Sequence, residues 1–263
     1  MRIVRFSVNN KDASYGILDD QEISPIAGDI FSNWERTGSK LRLDEVNMLA
    51  PVKPPNILAI GLNYMAHAKE SGQPIPSAPV LFIKANTSLA DPNRPIILPA
   101  MAPNEVDYEA ELVIIIGKPA RNVSESEAQD YVLGYTCGND VSARDCQLRL
   151  DAQWARGKSF DTFAPMGPWI ETELRADATG IRSHLNGRTM QDSNTKDLIF
   201  GSAKLVSYLS KCMTLMPGTA IMTGTPSGVG FARKPPVFLK AGDIVEIEID
   251  GIGTLRNPVK REN

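Results

Sequence analysis

Length, composition and charge bound the kinds of protein this chain can be. Its 263 residues are 42% hydrophobic and 22% charged, with a formal net charge of −3, which is typical of globular proteins with a large core. The mild acidity offers no electrostatic footprint for nucleic acid or an anionic membrane. No apolar run predicts a membrane span and the first residues lack the apolar core of a secretory signal, so we expect a cytoplasmic protein.

The first fifty residues are predicted to form a small α+β domain. The runs RIVRFSV and ASYGILDD have the alternating hydrophobicity of short strands, and residues 30–43 are interpreted as helical. The following segment, APVKPPN, contains three prolines and predicts a stiff, extended connector. We therefore place a domain boundary near residue 50, with residues 51–263 in a larger second domain.

The larger domain is predicted to be mainly β. Strands are indicated by four apolar runs, ILAIGLNY, APVLFIK, YVLGYTCGND and FAPMGPWIE. The segment DIVEIEIDGIGTLRN alternates sharply around Asp250-Gly251, which is a hairpin signal. Helical patterns are scarce, and the clearest are SESEAQDYV, where Ser124 and Glu127 form a capping-box pattern, and FGSAKLVSYLSKCM. Many short strands with few helices favour a mainly β (α+β) fold with a rolled or barrel-like sheet.

One strand, VDYEAELVIIIG, carries acids at alternate positions. Glu109 and Glu111 therefore point the same way, as does Asp107. The apolar residues that follow indicate that the strand enters the interior, where unpaired carboxylates are costly. Asp140 ends another apolar run, and the turn and helix between the two runs can bring the strands side by side. Converging carboxylates predict an all-oxygen site for Mg²⁺ or Mn²⁺, with Ca²⁺ as a third fit. The alternative is a solvated face, or one paired with lysine and arginine.

A histidine and a glutamate lie three residues apart in GLNYMAHAKESG. If this segment is helical, His67 and Glu70 share a face. A glutamate that accepts the proton of one ring nitrogen fixes the tautomer and makes the other nitrogen a better base. The segment is polar and bounded by glycine and proline, so the alternative is a solvated surface turn. A mobile lid that orders when ligand binds agrees with both interpretations.

The remaining histidine and the cysteines carry weaker signals. Cys137, Cys146 and Cys212 are odd in number and lack CxxC spacing, which favours three reduced thiols. A catalytic cysteine needs a nearby histidine, and the chain has only His67 and His184. His184 lies on a predicted strand near a turn, and we expect its loss to be nearly silent.

Further polar residues gather after these motifs. Arg144 and Gln147 follow Asp140 closely, and Lys158 lies in ARGKSFDTF. Thr225 lies in a glycine-rich loop, MTGTPSGVG, which lacks the GxxxxGK[ST] pattern of a phosphate loop. Each of these residues alone is equally typical of ordinary surface pairs and turns.

Five segments taken together resemble the fumarylacetoacetate hydrolase superfamily. They occur in this order: DYEAELVIIIGKPARNV, GYTCGNDVSARDCQ, QWARGKSFDTFAPMGPWI, LNGRTMQDSNTKDLIF and IMTGTPSGVG. The resemblance covers about residues 51 to 259, whereas the first fifty match only loosely, like the variable N-terminal domain of many members. It implies a mixed β-sandwich roll around a metal, and a homodimer. From the composition we expect neither nucleic acid nor a membrane as a partner.

The resemblance also implies roles for individual residues. The metal ligands would be Glu109, Glu111 and Asp140. The catalytic residues would be His67, Glu70 and Lys158, and the substrate contacts Tyr64, Arg144, Gln147 and Thr225. Asp107 is not a ligand in the family pattern, and we expect it to support the ligands or to begin the strand.

The function implied is metal-dependent hydrolysis of a C–C bond in small 2-oxo or 1,3-diketo acids of the acylpyruvate or fumarylpyruvate type. His67, oriented by Glu70, would activate water, and Lys158 would stabilise developing negative charge while the metal stabilises an enolate. Alternatives on the same site are an oxaloacetate-type decarboxylase and a 5-carboxymethyl-2-hydroxymuconate-type isomerase. A different class, a non-catalytic 2-oxo acid binding protein, also stays open.

Overall fold

The computed structural model describes residues 1–9 and 12–262, which contain twenty strands and three α-helices. The strands are β1 (Arg2–Ser7), β2 (Ser14–Asp19), β3 (Glu22–Gly28), β4 (Trp34–Arg36), β5 (Leu41–Arg42), β6 (Asn47–Leu49), β7 (Ile57–Gly61), β8 (Val80–Lys84), β9 (Leu89–Ala90), β10 (Ile96–Leu98), β11 (Val106–Asp107), β12 (Ala110–Ile116), β13 (Val132–Asn139), β14 (Ser142–Ala143), β15 (Ala164–Glu171), β16 (Gly180–Leu185), β17 (Arg188–Asn194), β18 (Ala220–Met222), β19 (Ile244–Ile249) and β20 (Gly253–Arg261). The helices are α1 (Met65–Glu70), α2 (Ala155–Lys158) and α3 (Ser202–Cys212), with a π-helix at Cys146–Leu150. None of the helices in this part of the chain is long and apolar enough to cross a membrane.

Two mixed sheets dominate the fold, and the predicted mainly β class is confirmed. The large sheet has thirteen strands, with the main path β4-β3-β2-β1-β15-β13-β12-β18-β7-β8. The second sheet has five strands in the order β10-β20-β19-β16-β17, and β11 pairs with β14 separately. The end strands β4 and β8 do not pair with each other, so the large sheet stays open and is not a closed barrel.

Strand β12 is buried on both faces and packs in two hydrophobic cores, as its continuous apolar run predicts. Leu112 and Ile114 pack in the main core with Ile247 of the five-stranded sheet. Val113 and Ile115 point to the opposite face and pack in a second core. A strand buried on both faces cannot move without disturbing two cores. Two of the predicted metal ligands, Glu109 and Glu111, lie at the beginning of this strand.

Strands of the first fifty residues continue the large sheet. Strand β1 pairs antiparallel with β15, with Arg2 opposite Glu171 and Ile3 opposite Ile170. The helix predicted at residues 30–43 is wrong, because β4 and β5 both pair with β3 there. Pairing with an available strand edge outweighed a weak local helical preference.

Of the two helices predicted in the larger domain outside the histidine segment, one forms. Helix α3 buries Leu205, Val206 and Leu209, the apolar face that its pattern predicts. The segment after Ser124 forms only a 3-10 turn, Ala128–Tyr131, so the longer helix is wrong there. The Ser124 hydroxyl donates to the Glu127 side chain instead of capping a helix, and the turn buries only Ala128. The hairpin predicted at Asp250-Gly251 is confirmed as the β19–β20 connection.

Candidate active site

Two adjacent strand ends bring three carboxylates together. Strands β12 and β13 pair antiparallel, with Ala110 opposite Asn139, so Glu109 and Glu111 lie beside the residue that follows β13, Asp140. Oxygen atoms of these three carboxylates lie within 4.8 Å of one another, and all three side chains are buried. The structure therefore brings together the three acids predicted from sequence, through the predicted side-by-side pairing of the two strands.

Two buried lysines contact this group unequally. Lys158 Nζ lies 2.8 Å from Glu109 Oε2 and 2.6 Å from Asp140 Oδ2. Lys84 Nζ lies 2.5 Å from the other oxygen of Asp140, Oδ1. Glu111 accepts the Gly224 N–H at 2.8 Å and has no ion pair within the described residues. The two lysines therefore contact Asp140 and Glu109, and among the described residues none forms an ion pair with Glu111.

The pKa shifts in this group follow from that inequality. Burial raises the pKa of Glu111, and the charges of Asp140 and Glu109 raise it further. Burial acts on Glu109 in the same direction, but Lys158 and Arg144 outweigh it and lower its pKa. Burial opposes the charged form of Lys158, whereas Asp140 and Glu109 prevail and raise its pKa. For Lys84, burial prevails over Asp140 and lowers the pKa.

A divalent cation fits this group of donors. Every donor is a carboxylate oxygen, which suits hard ions such as Mg²⁺, Mn²⁺ or Ca²⁺ and does not suit zinc. Glu111 is a buried carboxylate with a raised pKa and no paired cation, so an added positive charge has a definite place. Glu109, Glu111 and Asp140 would hold that ion.

Arg144 connects the group to a further acid, Asp107. Its Nη1 lies 2.7 Å from Glu109 Oε1 and donates to Gln147 Oε1 at 2.7 Å, while its Nε donates to Asp107 Oδ2 at 2.9 Å. Asp107 also accepts the backbone N–H groups of Gly230 and Phe231. The strand is interrupted between β11 and β12, so Asp107 leaves the alternating pattern and supports Arg144 instead of joining the carboxylate group.

The histidine and glutamate of GLNYMAHAKESG do share a short helix, α1. His67 Nδ1 lies 3.3 Å from Glu70 Oε2, and the ring is 7% exposed. The Glu70 carboxylate also accepts the Gly228 N–H, at 3.0 and 3.1 Å to its two oxygens. A carboxylate held from a second segment fixes the ring orientation and leaves Nε2 free to act as an acceptor.

His67 and the three carboxylates line one cavity of about 560 Å³. Its polar wall includes His67, Glu109, Glu111, Asp140, Arg144, Gln147, Lys158 and Thr225, and its apolar wall includes Leu62, Phe82, Leu148, Trp154 and Phe231. A base, a group of acids and a lysine thus face the same cavity, which is the arrangement that acid–base chemistry on a chelating substrate needs.

Three of the four predicted substrate contacts reach this cavity. The Gln147 carbonyl oxygen is occupied by Arg144, which leaves the amide N–H groups for a ligand. Thr225 accepts a hydrogen bond from Gln191 Nε2 at 2.7 Å, so its hydroxyl proton stays available. Tyr64 differs, because it is fully buried and is not among the residues that line the cavity.

Three residues that position the site are absent from the sequence interpretation. Lys84 ends the apolar run of β8, and a fully buried lysine needs a partner, but the partner is 56 residues away. The Gln191 side chain joins Ala110 of β12 to the Thr225 loop. Asn63, two residues before α1, donates side-chain hydrogen bonds to the backbone carbonyl oxygens of Phe200 and Thr223. The only local signal among the three is the lysine at the end of an apolar strand.

Comparison with protein-family models agrees with the predicted resemblance. Residues 56–260 match the model described as fumarylacetoacetate (FAA) hydrolase C-terminal, and residues 1–51 match the model Rv2993c-like, N-terminal. This chain belongs to the fumarylacetoacetate hydrolase family. The expected family is therefore confirmed, over most of the chain.

Curated proteins and solved structures in this family carry different names. A Dictyostelium discoideum protein named "Fumarylacetoacetate hydrolase domain-containing protein 2 homolog" is 50% identical over 234 residues, 84% of this chain and 76% of its own length. A Xenopus laevis protein named "Oxaloacetate tautomerase fahd2, mitochondrial" is 46% identical over 224 residues, 83% of this chain and 70% of its own. A crystal structure titled 5-carboxymethyl-2-hydroxymuconate delta-isomerase from Mycobacterium smegmatis superposes with a TM-score of 0.89 at 42% identity, covering 100% of both chains.

Proposed function

We propose that this protein is a metal-dependent enzyme that transfers a proton on small 2-oxo acids, with keto–enol tautomerisation of oxaloacetate as the best-fitting reaction. The observation that carries the proposal is one cavity lined both by His67, whose Nδ1 contacts Glu70, and by the carboxylates of Glu109, Glu111 and Asp140. The names tautomerase and isomerase among similar proteins support it, because both reactions move a proton without breaking a C–C bond.

The metal's part in this proposal is limited to activation of the substrate. Glu109, Glu111 and Asp140 would hold Mg²⁺ or Mn²⁺. The bound ion would act as a Lewis acid toward the carboxylate and 2-oxo oxygens of the substrate, which makes the neighbouring C–H group more acidic.

The protein's own residues account for the proton transfer. His67 has Nδ1 toward Glu70, so Nε2 accepts the proton from C3. The C–H electron pair then forms the C2–C3 double bond, and the π pair of the C2 carbonyl moves to its oxygen. Return of that proton to the C2 oxygen gives the enol, and its return to a conjugated carbon gives a shifted double bond. The Lys158 ammonium lines the same cavity and can stabilise the negative charge that develops on oxygen.

Hydrolysis of an acylpyruvate-type C–C bond is the second candidate. The observation that favours it is the size of the cavity, about 560 Å³, and its apolar wall of Phe82 and Trp154, which together leave room for an acyl substituent. His67 would then take a proton from water, hydroxide would add to the distal carbonyl, and the C–C bond would break to give a pyruvate-type product and an acid. We propose a homodimer as the active form in either case, and light scattering of the purified protein tests that state.

A turnover screen distinguishes these reactions. The protein is stripped with EDTA, reloaded with Mg²⁺ or Mn²⁺, and given oxaloacetate, a hydroxymuconate, acetylpyruvate or fumarylpyruvate while NMR follows the products. We expect metal-dependent keto–enol exchange of oxaloacetate, above the rates of a protein-free control and of Glu109→Ala, without pyruvate or CO₂. Pyruvate plus an acid would assign the hydrolase, and CO₂ release the decarboxylase. A double-bond shift in the hydroxymuconate alone would assign the isomerase, and binding without turnover a binding protein.

A further inference from the structure

The two lysines that contact Asp140 are not equivalent. Lys158 lines the cavity, where a substrate can reach it. Lys84 is fully buried at the end of β8, does not line the cavity, and donates to Asp140 Oδ1 at 2.5 Å and to the Val141 carbonyl oxygen at 3.3 Å. If a cation bound an oxygen of Asp140, Lys158 would have space in the cavity into which to move, whereas Lys84 would have none.

Lys84 also contributes to the net charge around the cavity. Among the described residues, the formal charges of the buried acids around the cavity exceed those of the buried cations by one; the acids are Asp107, Glu109, Glu111 and Asp140, and the cations are Lys84, Arg144 and Lys158. A divalent ion would turn this formal excess of one negative charge into an excess of one positive charge, and without Lys84 the formal balance of the loaded site would be zero. A positive balance favours the binding of an anionic 2-oxo acid.

We propose that Lys84 is a positioning residue that holds Asp140 and sets the balance between metal affinity and anion affinity. The inference rests on the proposed binding of a metal and a 2-oxo acid, and is independent of which reaction follows. Lys84 repels the metal and attracts the anion, so its charge acts on the two ligands in opposite directions. A residue that merely fills space would, when removed, weaken both.

The test measures binding and not turnover. Lys84→Met removes the charge at similar length, and Lys84→Gln removes the charge but keeps a hydrogen-bond donor for Asp140. Mn²⁺ affinity is measured by isothermal titration at pH 7, and oxalate, a dianionic analogue of a 2-oxo acid, is then titrated into the Mn²⁺-loaded protein. We expect both variants to bind Mn²⁺ about tenfold more tightly and oxalate about tenfold more weakly than the wild type.

A matched control and three outcomes make the result decisive. Lys204→Met removes a lysine that pairs with Glu125 at 2.8 Å but is 48% exposed, and it should change neither affinity. Weakening of both affinities in a folded Lys84→Gln protein would overturn the inference, and so would unchanged affinities, the result expected of a neutral lysine. If the wild type binds Mn²⁺ and oxalate without turning over any substrate, the proposed function fails but the role of Lys84 stands.

Discussion

Two clusters of charged residues, alike in composition, occupy opposite environments in this protein. The cavity cluster consists of Glu109, Glu111, Asp140, Arg144 and Lys158, all buried. The outer cluster lies on the five-stranded sheet, where Arg182 contacts Asp192, Glu248 and Asp250 at 2.8–3.3 Å with side chains 29–67% exposed. Water screens the outer pairs but not the buried ones, so similar distances carry very different energies.

The two histidines differ in the same way as the two clusters. His67 Nδ1 lies 3.3 Å from Glu70, and His184 Nε2 lies 3.1 Å from Glu248, so each ring has a glutamate at similar distance. The second nitrogen of His184 is occupied as well, by the Thr189 hydroxyl at 3.2 Å. His67 instead lines the cavity and keeps one nitrogen for a substrate. A histidine–glutamate contact is therefore chemically useful only where the other nitrogen faces a binding volume.

The largest expected effect is on metal binding. Glu109→Ala removes one of three carboxylates and takes one of two acidic partners from each of Lys158 and Arg144, so we expect no measurable Mn²⁺ binding by isothermal titration. Glu248→Ala, from the outer cluster, should bind Mn²⁺ as the wild type does. Unchanged affinity in folded Glu109→Ala would mean that Glu109 is not a ligand.

The next effect is on turnover. His67→Ala should retain Mn²⁺ and lose proton-transfer activity by about a hundredfold to ten-thousandfold, the usual range for removal of a general base. Decarboxylation of oxaloacetate, which needs no base to remove a C–H proton, should fall less. His184→Ala should have wild-type rates, since both ring nitrogens already serve the sheet surface. Equal losses in both variants would contradict the distinction between the two rings.

The last effect is on stability, where the two clusters differ again. Asp107→Asn leaves Arg144 buried without its full counter-charge, and we expect the free energy of unfolding to fall by about 3–5 kcal/mol. Asp250→Asn breaks an exposed pair with Arg182 and should cost about 0–1 kcal/mol. Urea denaturation of both variants measures the difference, and similar midpoints would show that burial does not strengthen the inner pair.

How much of this site can be predicted from sequence depends on how local each contact is. Period-two alternation and a long apolar run place Glu109 and Glu111 at the start of a buried strand, and helical spacing places His67 beside Glu70. The interruption that turns Asp107 toward Arg144 has no pattern of its own, because it depends on pairing with β14.

The residues that sequence reasoning missed are those with distant partners. Lys84 and Gln191 act on residues 34 to 81 positions away, and a single sequence carries no signal for such contacts. The same limit explains the helix wrongly expected at residues 30–43, where pairing with β3 decided the structure.

Asn63 anchors the chain just before helix α1, which carries His67. Its side chain donates to the carbonyl oxygens of Phe200 and Thr223 and accepts the Phe200 N–H, while its own carbonyl oxygen accepts the Ile199 N–H. The chain that leads into α1 is therefore already ordered by the fold before a ligand binds. Less conformational entropy is then lost when His67 meets a substrate than if this part of the chain had to be ordered at that moment.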